Sequence, residues 1–519
     1  MNRIRSLNPA TGEVLQEIPF ASPEQVRAAF ERAAAAQKLW GERPATERAK
    51  RLLSLRETLV NRADDVIQVL SEENGKPRFE VLSSEILAAL ELLTFYAKKS
   101  PQILADQPIP LRLMKHRKSY LQRWPLGVVA VIAPWNYPFF LPFGEIVMAL
   151  AAGNAVLFKP SEAATRVGLK IQELLDEAGI PEGLVQTLPG DGTVGAEIIQ
   201  NRPAKIFFTG SVRTGKKIQA AAAENLTPVS LELGGKDAMI VLSDADLDFA
   251  TSAALWGGFT NSGQACASVE RLLVHESIAA EFEKRLVQKL SALRAGPSTT
   301  DTGNDLGPVT YDLQKKVYEE HLSEAQSRGL EFPAGGTFSS DHRYLSPTLV
   351  KGNGIEESRI YCEETFGPVI ALTTFRNLDE AVRKANSSPY GLLASVFTRN
   401  HALGEQVARQ LQVGTVTVNE VLYTAGLPET PWGGIKETGS GRKHSAEGLL
   451  DFVHTRHIHM PRSSLFVFKS FWWFPYTPYQ YASFRVFLES YRNSWVSRIR
   501  SIPVLLWNLV QFIKNEKRL

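Results

Sequence analysis

The chain has 519 residues, 44% of them hydrophobic and 22% charged, with a formal net charge of +3. That length exceeds one ordinary core and asks for two or three domains in a soluble globular protein. The small net charge gives no reason to expect nucleic acid, two cysteines cannot form a disulfide framework, and no stretch reaches the ~20 apolar residues of a membrane-spanning helix.

The N-terminus, Met1-Asn2-Arg3-Ile4-Arg5-Ser6-Leu7, has no apolar signal core, so a cytoplasmic location is expected. Residues 23–100 read as helices, opened by Pro23-Glu24, with Ala28, Ala29, Ala33 and Trp40 at helical spacing. Residues 111–124 alternate basic and apolar groups, as an exposed strand does. Val128 to Ile132 is a buried strand, stopped by Pro134-Trp135-Asn136-Tyr137-Pro138 and followed by a helix to about Ala152. Val156-Leu157-Phe158 ends at Lys159-Pro160-Ser161-Glu162, and Lys205 to Phe208 ends at Thr209-Gly210-Ser211. Strand, polar turn and helix, repeated, predict a parallel α/β sheet with its ligands at the three turns.

Further on, Cys266 follows the small residues of Asn261-Ser262-Gly263-Gln264-Ala265. A thiol in such a setting is accessible, and a thiol is the best side-chain nucleophile near neutral pH. Upstream stands Leu231-Glu232-Leu233-Gly234-Gly235-Lys236, a carboxylate beside paired glycines where backbone can pass closely. Together they suggest covalent catalysis with a base that later activates water. The other cysteine, Cys362, has no such context and is expected to pack in the core.

These motifs, with Glu363-Glu364-Thr365-Phe366-Gly367-Pro368 and Pro431-Trp432-Gly433-Gly434-Ile435-Lys436, resemble the NAD(P)-dependent aldehyde dehydrogenase superfamily, in family order from about residue 7 to 458. The resemblance implies a Rossmann-like NAD-binding domain (1–107 and 125–234), an α/β catalytic domain (235–435) and a small β oligomerisation flap (108–124 and 436–460). It implies a homodimer or homotetramer. It makes Cys266 the nucleophile, Asn136 and the Cys266 N–H the oxyanion donors, and Glu232 the base. Gly210, Ser211 and Gly215 open a helix whose free N–H groups suit a pyrophosphate. Lys159 and Glu162 resemble the residues that hold the adenosine ribose. A carboxylate there favours NAD over NADP, although a Glu162 that turns away admits NADP. Trp135, Glu364 and Phe366 are also expected at the cofactor, and Glu363 in a structural ion pair. Phe140, Leu141 and Gly144 share one helix face and are expected to line an apolar substrate tunnel, with Gly144 leaving width; core packing is the other reading of that face. His454, His457 and His459 lie on an alternating stretch with no partner to complete a metal site, and no metal is expected.

Two positions depart from the family pattern. Trp432 stands where phenylalanine is usual, and His444-Ser445-Ala446 replaces a glycine; neither is expected to touch the chemistry. The larger departure is the tail, 461–519. Residues 466–512 hold fifteen aromatics, including four of the nine tryptophans. Phe484, Phe487, Leu488, Tyr491, Trp495 and Ile499 share a helical face, and Val504 to Ile513 reads as a short apolar helix before Lys514, Lys517 and Arg518. Tryptophan, tyrosine and basic residues favour the lipid headgroup region, so a peripheral membrane anchor at the cytoplasmic face is expected, the alternative being an arm that wraps a partner subunit. The expected activity is oxidation of a medium- or long-chain aliphatic aldehyde to its acid through a thiohemiacetal and a thioester. Two rivals stand beside it. A CoA-acylating semialdehyde dehydrogenase generally lacks the base that Glu232 supplies. A non-catalytic membrane-associated binding protein would not need Cys266, Glu232 and Asn136 intact.

Overall fold

The structure, a computed structural model, describes residues 2–298, 300–467, 469–489 and 491, with 503, 506, 507 and 510 beyond them. It divides into two compact units, residues 1–105 with 123–456, and residues 106–122 with 457–519. The tail therefore shares a unit with the 106–122 segment, where the sequence sets 461–519 apart.

In the first unit, Val128–Ile132 (β1), Ala155–Lys159 (β2), Val185–Thr187 (β3), Lys205–Thr209 (β4) and Val229–Glu232 (β5) run parallel in the order β3-β2-β1-β4-β5. β1 and β2 are buried at every position, which is why they read as unbroken apolar runs. Strand order reverses beside β1, and the turns after β1, β2 and β4 carry Trp135-Asn136, Pro160–Glu162 and Gly210-Ser211. A crevice at the carboxyl ends beside such a reversal is where open α/β sheets take ligands.

A second sheet is built from Asp237–Val241 (β6), Val269–His275 (β7), Glu331–Ala334 (β8), Thr348–Lys351 (β9), Val369–Phe375 (β10), Leu393–Phe397 (β11) and Thr415–Val418 (β12). Its order is β8-β9-β10-β7-β6-β11-β12, parallel except for the edge strand β8. The chain then returns to the first sheet. Gly439–Ser440 (β13) pairs antiparallel with β5, Gly439 opposite Glu232. That return delivers residues 432–444 to the end of β5.

Helices fill residues 23–103, with one feature the sequence did not announce: Val81–Leu87 widens into a π-helical turn. Its Glu85 is fully buried, pairs with Lys76 and accepts hydrogen bonds from the N–H groups of Phe139 (3.2 Å) and Phe140 (2.7 Å). Those are orphan donors at the start of the helix Phe140–Ala152 (α1). Gln107–Pro108, Arg117–Pro125 and Val453–Pro461 form a three-stranded sheet, the small β flap expected here.

Within the second unit, Pro478–Glu489 is a helix opened by a capping box, Thr477 N–H to Gln480 Oε1 and Gln480 N–H to Thr477 Oγ1. Trp472, Trp473, Phe474, Tyr476, Tyr481, Phe484, Leu488 and Tyr491 are all exposed. Arg112 donates to the Tyr491 hydroxyl at 3.1 Å. His457 and His459 both contact the Ser119 hydroxyl. The expected apolar face beyond Tyr491 and most of the segment 504–513 lie outside the described residues. Among the described residues no helix is long and apolar enough to cross a membrane, and no three His, Cys, Asp or Glu side chains gather as metal ligands.

Candidate active site

Three left-handed residues in a row, Asn261 (φ 50°), Ser262 (φ 56°) and Gly263 (φ 70°), turn the chain between the helix Leu247–Phe259 and Cys266. A side chain on Gly263 would meet the Gly367 carbonyl oxygen at 2.1 Å, so only glycine fits there. The polar residues of the motif lock this turn. Glu80 accepts the Asn261 N–H, Ser262 Oγ donates to Gly307 O, and Gln264 Nε2 donates to Asn261 O. The Cys266 carbonyl then passes over Gly235, where a Cβ would lie 2.2 Å from it. The close backbone approach foreseen at the paired glycines is therefore made by the nucleophile's own peptide.

Asn136 is buried, and its loop is held from three sides. Lys76 Nζ donates to Asn136 O at 3.1 Å, Asn261 Nδ2 does so at 2.9 Å, and Asn136 Nδ2 donates to Gln264 O at 3.1 Å. A carboxamide nitrogen carries two hydrogens. One is spent on Gln264, and the other finds no acceptor among the described residues. The Cys266 N–H likewise meets none. The two donors expected to receive an oxyanion are thus both unspent. Cys266 itself is partly exposed. Burial pushes its thiol well above the ordinary range; Glu232, Asp237 and Glu364 add to the effect, and Lys443 opposes it.

Glu232 lies at the end of β5, buried, with both oxygens engaged. The Trp432 indole donates to Oε1, and Lys443 Nζ lies 2.7 Å from Oε2. Lys443 is also paired with Glu145 of α1 and donates to Thr209 Oγ1 at 2.5 Å. Burial works against the Lys443 charge, but Glu145 and Glu232 outweigh it and hold this lysine above the usual range. Burial raises the Glu145 carboxyl, with Lys443 opposing and Glu232 adding. The expectation that the departures at Trp432 and 444–446 stay clear of the chemistry is overturned. β13 brings Trp432 onto the expected base, and His444, held down to about 4 by burial, lies against Phe140 with ring centroids 5.8 Å apart. Sequence reasoning missed Glu145 and Lys443. The one available signal was a lone carboxylate in the apolar run Phe139-Phe140-Leu141-Pro142-Phe143-Gly144-Glu145, since such a residue needs a buried partner.

On the cofactor side, Ser211 caps the helix Val212–Ala223 (α2), accepting from Thr214 N–H at 3.3 Å. Gly210 N–H donates to the Glu232 carbonyl at 3.1 Å, and Gly215 lets α2 close on Leu233, where a Cβ would sit 2.6 Å away. Lys159 is buried and donates to the carbonyls of Pro160 and Gly190, both at 2.8 Å; burial lowers its pKa, with Glu162 and Asp191 opposing. Glu162 is half-buried and accepts from the Tyr311 hydroxyl at 3.4 Å. Trp135 stands edge-on to Phe366 (5.4 Å) and tilted to Tyr311 (6.0 Å). Glu364 accepts the Gly235 N–H at 2.8 Å over Gly234, and burial next to Glu270 pushes it up to about 8. Glu270, itself paired with Lys236, accepts the N–H groups of Thr365 and Phe366, fixing the left-handed Phe366. Glu363 is ion-paired with Arg359 at 3.0 Å, as expected.

On the tunnel face, Phe140 is buried and Leu141 partly so. Gly144 faces Leu92, whose Cδ1 would lie 3.1 Å from a Cβ, so the room expected there is taken up by helix packing. Cys362 also differs from expectation. It is exposed at the end of the short helix Arg359–Cys362, and its thiol donates to Glu356 O at 3.1 Å.

A parallel sheet with a capped helix at its switch point, beside a thiol with unspent donors and a buried carboxylate, defines an α/β enzyme of the covalent type. The chain belongs to the aldehyde dehydrogenase family, whose profile matches residues 1–458. It is an aldehyde-oxidising enzyme by that membership. It is 40% identical over 498 residues to a 4,4'-diapolycopene aldehyde oxidase of Methylomonas sp, covering 94% of this chain and 91% of that protein. A match over 94% of the chain cannot fit within residues 1–460, so it runs into the tail. Among solved structures, betaine aldehyde dehydrogenase of Staphylococcus aureus in complex with NAD+ superposes with a TM-score of 0.84 at 29% identity, covering 90% of this chain and 94% of that one. An NADP dependent enzyme of E. coli gives 0.85 at 30% identity, covering 89% and 95%.

Proposed function

We propose that the protein oxidises a medium- or long-chain apolar aldehyde to its carboxylic acid with NAD, working at a membrane surface as a homodimer or homotetramer. The observation that carries the chemistry is the pair of unspent donors, Asn136 Nδ2, which is held to the Gln264 carbonyl, and the Cys266 N–H two residues further on. Cys266 first loses its thiol proton to solvent; the thiolate Sγ then bonds to the aldehyde carbon as the C=O π pair moves onto oxygen, and that oxyanion accepts from those two donors. A bound nicotinamide supplies the hydride acceptor. Loss of hydride from that carbon leaves a thioester on Cys266. Glu232 takes a proton from water, whose oxygen attacks the thioester carbon; the acid leaves and the thiolate returns. Residues suited to the cofactor are present: the capped N-terminus of α2 for a pyrophosphate, Lys159 and Glu162 for a ribose, and Trp135, Glu364 and Phe366 for the nicotinamide end. Relatives of known structure are named for NAD+ and for NADP.

Glu162 favours NAD here, because a carboxylate accepts from the ribose hydroxyls and repels a 2′-phosphate. Glu162→Gln should lower kcat/KM for NAD by roughly tenfold or more, the worth of a charge-assisted hydrogen bond, and raise it for NADP. A wild-type enzyme that already prefers NADP would overturn this.

For the substrate, Leu141 is apolar and partly exposed, with Phe140 buried beside it, and the relative named for a diapolycopene aldehyde shares part of the tail. The exposed aromatics of the second unit suit a headgroup layer. An aldehyde ladder of increasing chain length, read as NADH or NADPH formed, tests the substrate class; kcat/KM should climb with length. Full-length protein should sediment with anionic liposomes and be released in part by salt, because lipid attraction is screened. A chain ending near Met460 should stay in the supernatant yet still oxidise a short soluble aldehyde. If both stay in solution and the truncation changes the oligomer size, the tail is a subunit arm.

A further inference from the structure

We infer that Tyr311 sets the choice of coenzyme: its hydroxyl latches Glu162 on the inner side of the cofactor cleft, over the adenosine ribose, and so selects NAD against NADP. The inference rests on Glu162 meeting that ribose, as proposed above.

Tyr311 touches both ends of the proposed cofactor site. Its hydroxyl donates to Glu162 Oε1 at 3.4 Å. Its ring centroid lies 6.0 Å from that of Trp135, which stands 5.4 Å from Phe366. Glu162 is proposed for the adenosine ribose, Trp135 and Phe366 for the nicotinamide end. A side chain that reaches from one to the other lies alongside the middle of a dinucleotide. The Glu162 carboxyl is therefore drawn toward the centre of the cleft and not out to solvent.

Among the described residues no other group donates to that carboxyl. Lys159, three residues back, spends its ammonium on Pro160 O and Gly190 O. Glu162 is half-buried and opens the short 3-10 turn Glu162–Ala164, so a rotamer pointing to water is open to it. A carboxyl turned that way leaves room for a 2′-phosphate and no longer repels it. The bond to Tyr311 opposes that turn. At 3.4 Å it is long for a hydroxyl donor, so it orients the carboxyl without consuming it. Oε2 stays open to the ribose hydroxyls, since each carboxylate oxygen has two acceptor sites.

The latch stands on a fixed mount. Gln264 Oε1 accepts the Thr310 N–H at 3.0 Å, and Thr310 Oγ1 donates to Asn74 O at 2.7 Å. Asn74 Nδ2 in turn donates to Trp135 O at 2.8 Å. Tyr311 and Trp135 are thus both tied to Asn74, one of them through its neighbour Thr310. Burial, then the charge of Glu162 and the hydrogen bond to it, raise the Tyr311 hydroxyl above the usual tyrosine range, so it remains a donor near neutral pH. Tyr311 precedes the helix Asp312–Ser327, but its side chain does not cap it. The hydroxyl can be removed without touching the helix.

Tyr311→Phe removes the hydroxyl and keeps the ring against Trp135. The test is titration calorimetry with NAD and with NADP on wild type, Tyr311→Phe, Glu162→Ala and the double variant, so that coenzyme preference is read as a ratio of Kd values without turnover. Tyr311→Phe should bind NAD more weakly and reduce the preference for NAD over NADP by roughly three- to tenfold, the range for one hydrogen bond net of solvent. Glu162→Ala should reduce it further. The double variant should match Glu162→Ala, because the latch then has nothing to hold. A preference unchanged or increased in Tyr311→Phe would overturn the inference. So would an equal drop with and without Glu162, which would mean that the hydroxyl acts on the coenzyme directly. Failure of the underlying reading looks different: Glu162→Ala would then bind both coenzymes as wild type does, whatever Tyr311 does.

Discussion

Cys266→Ala should abolish aldehyde oxidation, by at least roughly 10⁴-fold, because no other group can form the thioester. The loss should reach the first turnover as well as the steady state, so no burst of NADH remains. The protein should stay folded. Cys266 is a partly exposed side chain at the end of a turn held by Glu80, Gly307 and Gln264, and those contacts do not use its sulfur. Cys362→Ala is the control. Its thiol is exposed and touches only a backbone carbonyl among the described residues, so most activity should survive. Equal loss in both folded variants would sink the assignment of the nucleophile. The raised thiol has a second outcome. Burial first, then Glu232, Asp237 and Glu364, disfavour the thiolate. The burst rate of the wild-type enzyme should therefore keep climbing with pH through and beyond the ordinary thiol range, as the fraction of thiolate grows. A burst rate that is flat with pH would mean that binding of the cofactor or substrate has already deprotonated the thiol.

Much of this site is legible in one dimension because its parts are short and local. A short run such as Val128 to Ile132, rich in β-branched residues and stopped by Pro134, reads as a strand buried on both faces, and the turn after it, with Trp135-Asn136, then falls at the carboxyl end of a parallel sheet. Ser211 ahead of an apolar-periodic segment is a cap that any chain would use. The left-handed turn before Cys266 is foreshadowed by Asn261 and Gly263, residue types that tolerate positive φ, while Ser262 between them is carried along by its hydrogen bond to Gly307 O. The hidden part is long-range and polar. Glu145 and Lys443 lie almost 300 positions apart in the sequence, and only the return of β13 onto β5 makes them a pair. Trp432 is easy to discount, since a tryptophan in place of a phenylalanine looks like a packing change; its indole N–H is what makes it matter, and that needs Glu232 opposite. Cys362 reads as core because free cysteines are usually buried, but its helix is one turn long and leaves it at the surface. Glu85 requires a π turn, which has no sequence signature, to reach the N–H groups of α1.

Glu232→Gln should separate the two halves of the reaction. Hydride leaves before water attacks, so one equivalent of NADH should still form rapidly. Steady turnover should then fall by roughly 10²–10⁴, the usual worth of a positioned general base. The substitution is mild for the fold. Glutamine keeps an oxygen that can accept the Trp432 indole hydrogen, and Lys443 keeps Glu145 as its counter-charge. Thermal stability should change little compared with removal of Lys443, which strands two buried carboxylates at a cost of about 3–5 kcal/mol. The stalled species should be an acyl group on Cys266, visible as a mass increase on the intact protein and reversed by added hydroxylamine or a small thiol. Release by a thiol is informative in itself. It needs no base at position 232, since a thiolate attacks the thioester directly and Cys266 leaves as the new thioester departs. Should the wild-type enzyme release its acyl group faster to a thiol such as CoA than to water, the activity is acyl transfer rather than hydrolysis, and Glu232 is then a docked carboxylate without a water to activate. Hydrolysis that dominates in the wild type and vanishes in Glu232→Gln, with thiol release preserved, would fix both the order of the steps and the role of the base.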